Sequence, residues 1–475
     1  MSLHCIDIGV APDEASAAAR LDAALAALEG ERHGVDLAVR VEVRLDAVDP
    51  LGWLAAVDGP GVAWASRDAG LRVAGRGEAL AVRGPRHLLG AGVEALTNLL
   101  RGAGRRARAF GGVAFDGGRD GNANDPRWRA FGGFRFAIPA VEVGIDQAGA
   151  WMAASVIAGA NEAAAAVEGT RGLLAAPVAR PAFERQPTLV SRRAQPDRAG
   201  YLAGVHEALA AIDGGDVDKV VLARRCDLLF AGEVDAIALL EALTVREPQS
   251  YRFCLRPHAG LAFVGASPER LFRRDGRLVA SEALAGTRRR GGSDSDDEQL
   301  GGELRASGKD RHEHALVVEA VRTALGRCCD TVEAAPAPLL LRQSRVQHLW
   351  THVRGRLRPD VAEQAPVDAQ LIESLHPTPA VCGTPRGPAQ AWIAANEAFD
   401  RGLYAAPVGW IGDDAAELCV AIRSALVAGD HVSVFAGAGL VAGSEPDAEW
   451  REVEGKIVSM LDALGVPPAP DQELD

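Results

Sequence analysis

Lys219, in VDKVVLARRCDLLF, and Glu269, in LAFVGASPERLF, each stand at the edge of an apolar, strand-like run. Burial favours the neutral form of either side chain, so a buried lysine tends to lose its proton and a buried glutamate tends to keep one. A base and an acid facing each other across a pocket can add a water on one side of a substrate and expel a hydroxyl on the other. On its own the pair is a weak signal.

Two helix-like segments add carboxylates. Asp310 and Glu313 are spaced i, i+3, as are Glu449 and Glu452, with Lys456 four residues further on. Each pair shares one helix face. In the second segment the opposite face carries Trp450, Val453, Ile457 and Met460. Two such helices could clamp one hard cation, and oxygen-only ligands with room for water suit Mg²⁺. The competing reading is two solvated acidic faces.

Other motifs are weaker. His312-Glu313-His314 is not a zinc motif, because neighbouring residues do not share a helix face and HExxH is absent. GAGLVAG, residues 437–443, lacks the spacing of a dinucleotide loop, although a glycine-rich turn can still offer N–H groups to a carboxylate. Arg423, in VAIRSAL, is a single arginine in an apolar strand-like run; it is either a surface residue or a planar fork for a carboxylate. Tyr404 could add a hydroxyl donor. His348 reads first as a satisfied core histidine.

The elements that must position these residues follow from pattern. Strand-like runs are LAVRVEVRL, GVAWASR and FRFAIPAVEVG, with a helix over ASAAARLDAALAALEG. Residues 184–200, with two prolines and several charges, read as a connector. A helix over YLAGVHEALAAI leads into the Lys219 strand, and a helix follows over EVDAIALLEALTVRE. Asp275-Gly276 between two β-rich runs predicts a hairpin, so the sheet here is antiparallel. Residues 288–302 read as a polar loop, either plain surface or a mobile lid. Residues 303–325 read as one helix with Leu304, Val317, Val321 and Leu325 inward. LYAAPVGWIG, ELCVAIRSALV and HVSVFAGAGLV read as strands. A last helix spans 446–463, with Ser444 as N-cap.

The 475 residues suffice for a large core. A net charge of −13 argues against a nucleic-acid or anionic-membrane surface. No basic-then-apolar leader opens the chain and no apolar stretch reaches membrane-span length. Seven cysteines without CxxC spacing suggest reduced thiols, and with these features a cytoplasmic protein.

Together these segments resemble the chorismate-utilising enzymes, which include isochorismate synthases, salicylate synthases and the large subunits of anthranilate and aminodeoxychorismate synthases. The resemblance rests on ordered blocks over residues 200–463, among them DKVVLARR, GASPERLF, SEALAGTRRRG, ELRASGKDRHEHALVV, VQHLWTHVRGRL, LHPTPAVCGTPR, AFDRGLYAAPVGW, AIRSAL and FAGAGLVAGSEPDAEWREVEGKI. The first half matches more loosely, through GVAWASRD and WRAFGGFRFAIPAVEV. The resemblance implies an α+β fold, a single large unit of two packed, mainly antiparallel β-sheets with helices outside. Residues 1–195 would form the amino-terminal half of the fold, 196–465 the chorismate-binding catalytic region and 466–475 a frayed tail.

The resemblance also implies roles. Lys219 matches the general base that activates water at C2 of chorismate, and Glu269 the general acid that protonates the departing C4 hydroxyl. Glu313 and Glu452 match Mg²⁺ ligands, with Asp310 and Glu449 as nearby acidic positions. Gly286, Thr287, Tyr404, Arg423, and the turn of Gly437, Ala438 and Gly439 match the groups that hold the substrate's carboxylates. Lys456 matches a lysine near the metal and His348 a pocket histidine. Lysine at 219, where amine-adding relatives have glutamine, fits water as nucleophile. Ala285 stands where aminodeoxychorismate synthases often carry a nucleophilic lysine, and Ala380 matches the small residue of isochorismate synthases. Cys382 and Ala406 depart from the usual glycines. The expectation is a Mg²⁺-dependent isomerase forming isochorismate, with salicylate synthesis as the alternative. It would be a monomer, as similar enzymes often are, with no nucleic-acid or membrane partner. The product would feed menaquinone, siderophore or salicylate synthesis.

Overall fold

The computed structural model describes residues 2–31, 36–68, 70–116, 125–176, 186–343, 346–362 and 366–467. The expected tail and the first two residues of the expected connector fall largely or wholly outside them.

The long strand Phe134–Asp146 organises the sheet. Its apolar run is buried on both faces over most of its length, which suits a central strand. One edge pairs with Leu71–Gly84; the other pairs with Ala109–Val113 at one end and Gly149–Ala158 at the other. Two arms leave this strand. The first runs from Leu71–Gly84 through Gly61–Ala65, Tyr251–His258, Leu261–Ser267, Ser424–Ala428 and His431–Val441 to Lys219–Phe230. The second runs from Ala109–Val113 through Pro407–Ile411, Ala415–Val420, Arg270–Asp275 and Leu278–Arg289 to Val346–Leu357. These pairings are antiparallel; His4–Ala11 with Leu37–Leu45 is a parallel pair. The mixed fold of helices and antiparallel strands is as expected. In detail, the strands form one connected hydrogen-bonded network rather than two separate sheets.

The chain passes between the arms twice where it matters. It leaves the first arm at Ser267 and enters the second at Arg270, so Glu269 lies on the crossing. It returns between Val420 and Ser424, so Arg423 lies on the other. The two crossings are tied together: Val420 N–H donates to the Glu269 carbonyl at 3.0 Å and Ala266 N–H to the Arg423 carbonyl at 3.0 Å.

Several elements differ from the pattern-based reading. ELCVAIRSALV is two strands, broken at Arg423, whose φ of 52° no regular strand allows. The loop expected over 288–302 is a helix from Asp294, and the single helix expected over 303–325 is two, Asp294–Ala306 and Gly308–Gly326. Ser307 ends the first and caps the second by accepting from Asp310 N–H, the role serine prefers over a helix interior. The expected connector contains the strand Leu189–Gln195, paired to Lys219–Phe230, and the start of the helix Arg198–Asp213. The last helix, Pro446–Ala463, is capped at Glu445 rather than Ser444; the Ser444 hydroxyl instead accepts from Val441 N–H. The Asp275-Gly276 hairpin forms, with Gly276 at φ 55°. Among the described residues no helix is long and apolar enough to cross a membrane.

Candidate active site

A cavity of about 260 Å³ opens between the two arms. The first arm contributes Val221, Phe435, Gly437 and Gly439; the second contributes Ala285, Gly286, Thr287 and His348. Glu269 and Arg423 enter from the crossings, and Ala380 and Tyr404 from connecting segments. The helices Gly308–Gly326 and Pro446–Ala463 close the remaining side with Asp310 and Glu313 from one, and Glu449, Glu452 and Lys456 from the other.

Glu269 is 3% exposed. Burial first, and the charge of Glu282 second, push its carboxyl up to about 8 against the pull of Lys219 and Lys456. It is therefore a proton donor at neutral pH. Lys219 is fully buried, and its Nζ donates to Glu313 Oε1 at 2.7 Å. Gly439 is packed against this pair: a Cβ there would stand 2.7 Å from Lys219 Cε and 2.9 Å from Glu313 Oε1. Gly439→Ala is thus expected to lower turnover about 10²-fold, the scale of an ångström's misplacement, with little loss of thermal stability. Steady-state rates set beside a melting curve check it.

The polar wall suits an anionic ligand. Arg423 carries a cation at any ordinary pH. Burial keeps the Tyr404 hydroxyl protonated by pushing it well above its ordinary value, and its ring stacks on Phe435 at 5.2 Å. His348 is pushed down to about 3, by burial first and then by Arg423 and Lys456, so it is a neutral imidazole. Its Nδ1 lies 3.1 Å from the Thr287 hydroxyl and 3.3 Å from the Gly286 carbonyl. Gly286, at φ 76°, brings its backbone against Asp310, where a Cβ would stand 3.1 Å from the Asp310 Cβ.

Each expected metal-binding carboxylate carries a cation. Lys219 holds Glu313, Lys456 holds Glu452 at 2.7 Å, Lys309 holds Glu449 at 3.1 Å and Arg288 holds Asp310 at 2.8 Å. Among the described residues no three His, Cys, Asp or Glu side chains form a ready-made metal cage. The donor set still fits a hard divalent ion, because it consists of carboxylate oxygens from two helices facing one cavity.

The cavity brings together Glu269, Gly286, Thr287, Asp310, Glu313, His348, Ala380, Tyr404, Arg423, Gly437, Gly439, Glu449, Glu452 and Lys456, with Lys219 behind Gly439. Ala438 is not among the lining residues. Strand alternation turns it to the opposite face, where it is fully buried. Sequence reasoning missed Lys309 and Arg288, the partners of Glu449 and Asp310. Lys309 stood in plain view beside Asp310, but a surface lysine carries no signal until its carboxylate is known to be buried.

A model of the chorismate binding enzyme family matches residues 23–465. The chain is 40% identical over 365 residues to a chloroplastic isochorismate synthase of Catharanthus roseus, a match covering 74% of this chain and 61% of that protein. It is 37% identical over 359 residues to the isochorismate synthase MenF of Bacillus subtilis, covering 75% and 74% of the two. The solved structure of MenF, the menaquinone-specific isochorismate synthase from Escherichia coli, superposes with a TM-score of 0.80 at 28% identity, covering 94% of this chain and 99% of that one.

Proposed function

The chain belongs to the chorismate binding enzyme family, and we propose that it isomerises chorismate to isochorismate with Mg²⁺ as cofactor. The observation that carries this reading is a buried Glu269, its carboxyl pushed up to about 8, in a cavity lined by Tyr404, Arg423 and Lys456, with Lys219 behind Gly439 and bonded to the lining carboxylate of Glu313. In its neutral form, released from Glu313, Lys219 takes a proton from the water whose oxygen bonds to C2. The ring double bonds shift, and Glu269 delivers its proton to the hydroxyl that leaves C4 as water. One water is consumed and one released, so the reaction is an isomerisation. Arg423, Tyr404 and the backbone at Gly437 and Gly439 orient the substrate's carboxylates.

The metal would lie between Glu313 and Glu452, with Asp310 and Glu449 beside them, and would supply charge neutralisation for the ring carboxylate as electron density shifts. Lys219 and Lys456 hold those same carboxylates, so metal binding would require these ion pairs to rearrange.

Supplied with chorismate and Mg²⁺ near neutral pH, the enzyme is expected to form isochorismate and little salicylate. The basis is Lys219 as water activator and the small side chains of Ala285 and Ala380 in the cavity wall. Moving a hydroxyl between similar ring positions changes little in energy, so conversion stays incomplete and isochorismate gives the same mixture. Chromatography of both reactions decides it. Equal accumulation of salicylate and pyruvate would favour the lyase, and anthranilate formed with ammonia would overturn the role of Lys219.

A further inference from the structure

The backbone on both sides of Glu269 is pinned. Arg270 N–H donates to Glu282 Oε1 at 2.7 Å. Arg67 Nη1 donates to the Pro268 carbonyl and, at 2.7 Å, to Glu282 Oε1, while Nη2 reaches Glu282 Oε2 at 2.8 Å. Glu269 N–H donates to the Ser267 hydroxyl at 3.2 Å, and the Glu269 carbonyl accepts from Val420 N–H. Trp350 Nε1 donates to Glu282 Oε2 at 2.8 Å, fixing that carboxylate from the neighbouring strand. One bidentate ion pair therefore grips the residue before and the residue after Glu269.

We propose that the Arg67–Glu282 pair is a positioning unit for Glu269, through which the first half of the chain takes part in catalysis. This rests on the reading of Glu269 as the general acid. Neither Arg67 nor Glu282 lines the cavity, so both act through the crossing and not on the substrate. The pair has two effects. The planar fork of Arg67 sets the path of the Pro268 peptide, a geometry a lysine cannot reproduce. The Glu282 carboxylate, kept ionised by Arg67 and Arg270 despite its burial, adds negative charge behind Glu269 and helps it hold its proton. The other titratable and charged groups facing Glu269 are Lys219, Lys456, Tyr404 and Cys419. Of these the two lysines favour ionisation, so the negative charge of Glu282 opposes them.

The test compares Arg67→Lys, Glu282→Gln and Glu269→Gln with the parent in kcat, KM and the pH profile of kcat, with melting curves to identify folded variants. Arg67→Lys should lower kcat about 10-fold or more, within the range of a misplaced catalytic group, with KM nearly unchanged. Glu282→Gln removes a like charge from the neighbourhood of Glu269, so the alkaline limb of kcat should move to lower pH. A structural role alone would not move that limb. If Glu269→Gln is inactive while both other variants keep parental kcat and an unmoved limb, the positioning role is overturned and the acid assignment stands. If Glu269→Gln stays active, the acid assignment fails and the positioning role with it.

Discussion

Lys219→Ala and Glu269→Gln are each expected to lower turnover by about 10²–10⁴-fold, the usual contribution of a general acid or base. Both side chains are buried, Glu269 in the cavity wall and Lys219 behind Gly439. Glutamine preserves the shape of Glu269 and removes only the proton it donates. The pH dependence has a definite sign. As the proposed general acid Glu269 would work in its protonated form, and burial raises its value from the ordinary carboxylate range to about 8. Its contribution is fully present below that value and is lost as pH rises through it, so kcat falls on the alkaline side with an apparent pKa near 8, and Glu269→Gln abolishes that limb along with the activity. Steady-state rates across pH measure both. Retention of more than about half the parental rate in either variant is incompatible with the assigned roles.

EDTA is expected to abolish activity and added Mg²⁺ to restore it. Glu313→Gln and Glu452→Gln should each weaken Mg²⁺ binding by more than about tenfold, since even groups lying behind a metal ligand are worth roughly 10–100-fold. The ion pairs make the experiment informative. Each substitution removes a proposed metal ligand and also the anionic partner of a lysine, which is Lys219 in Glu313→Gln and Lys456 in Glu452→Gln. Mg²⁺ titrations in the presence of substrate should therefore shift in both variants, while kcat at saturating metal should fall further in Glu313→Gln. Full activity in EDTA, or identical titrations in parent and both variants, would sink the carboxylate clamp.

Much of this architecture was legible because it obeys period and punctuation. The helix Pro446–Ala463 is legible to the residue, since Pro446 opens it and Val453, Ile457 and Met460 recur on its buried face. The Asp275-Gly276 hairpin follows from the one turn type that such a pair favours. What escaped was local geometry imposed from a distance. Arg423 interrupts an apolar run that looks continuous, because the chain must pass there from one arm of the sheet to the other. Ser307 splits a run that reads as one helix, because its side chain caps the second helix by accepting from Asp310 N–H. In the site, family-like motifs pointed to ionisable residues that the fold gathers at one cavity, but not to which cation each carboxylate holds. That information resides in pairs such as Lys309 with Glu449, separated by more of the chain than any spacing rule reaches. Arg67 escaped for the same reason: its partner Glu282 lies 215 residues further on.

The order of strands has a consequence for synthesis. Gly61–Ala65 finds a partner early in Leu71–Gly84, but its other edge is covered only by Tyr251–His258, about 190 residues later. At roughly 5–20 residues per second, a ribosome takes about 10–40 s to supply that strand. Throughout the interval the nascent chain presents an unpaired edge bearing Val62, Ala63 and Trp64, which ends buried in the finished protein. Such an edge is a template for pairing with another chain. Ribosomes following one another along a single message would bring identical edges together, so slowing translation between residues 66 and 250 is expected to lower the yield of folded enzyme without altering a single contact in it.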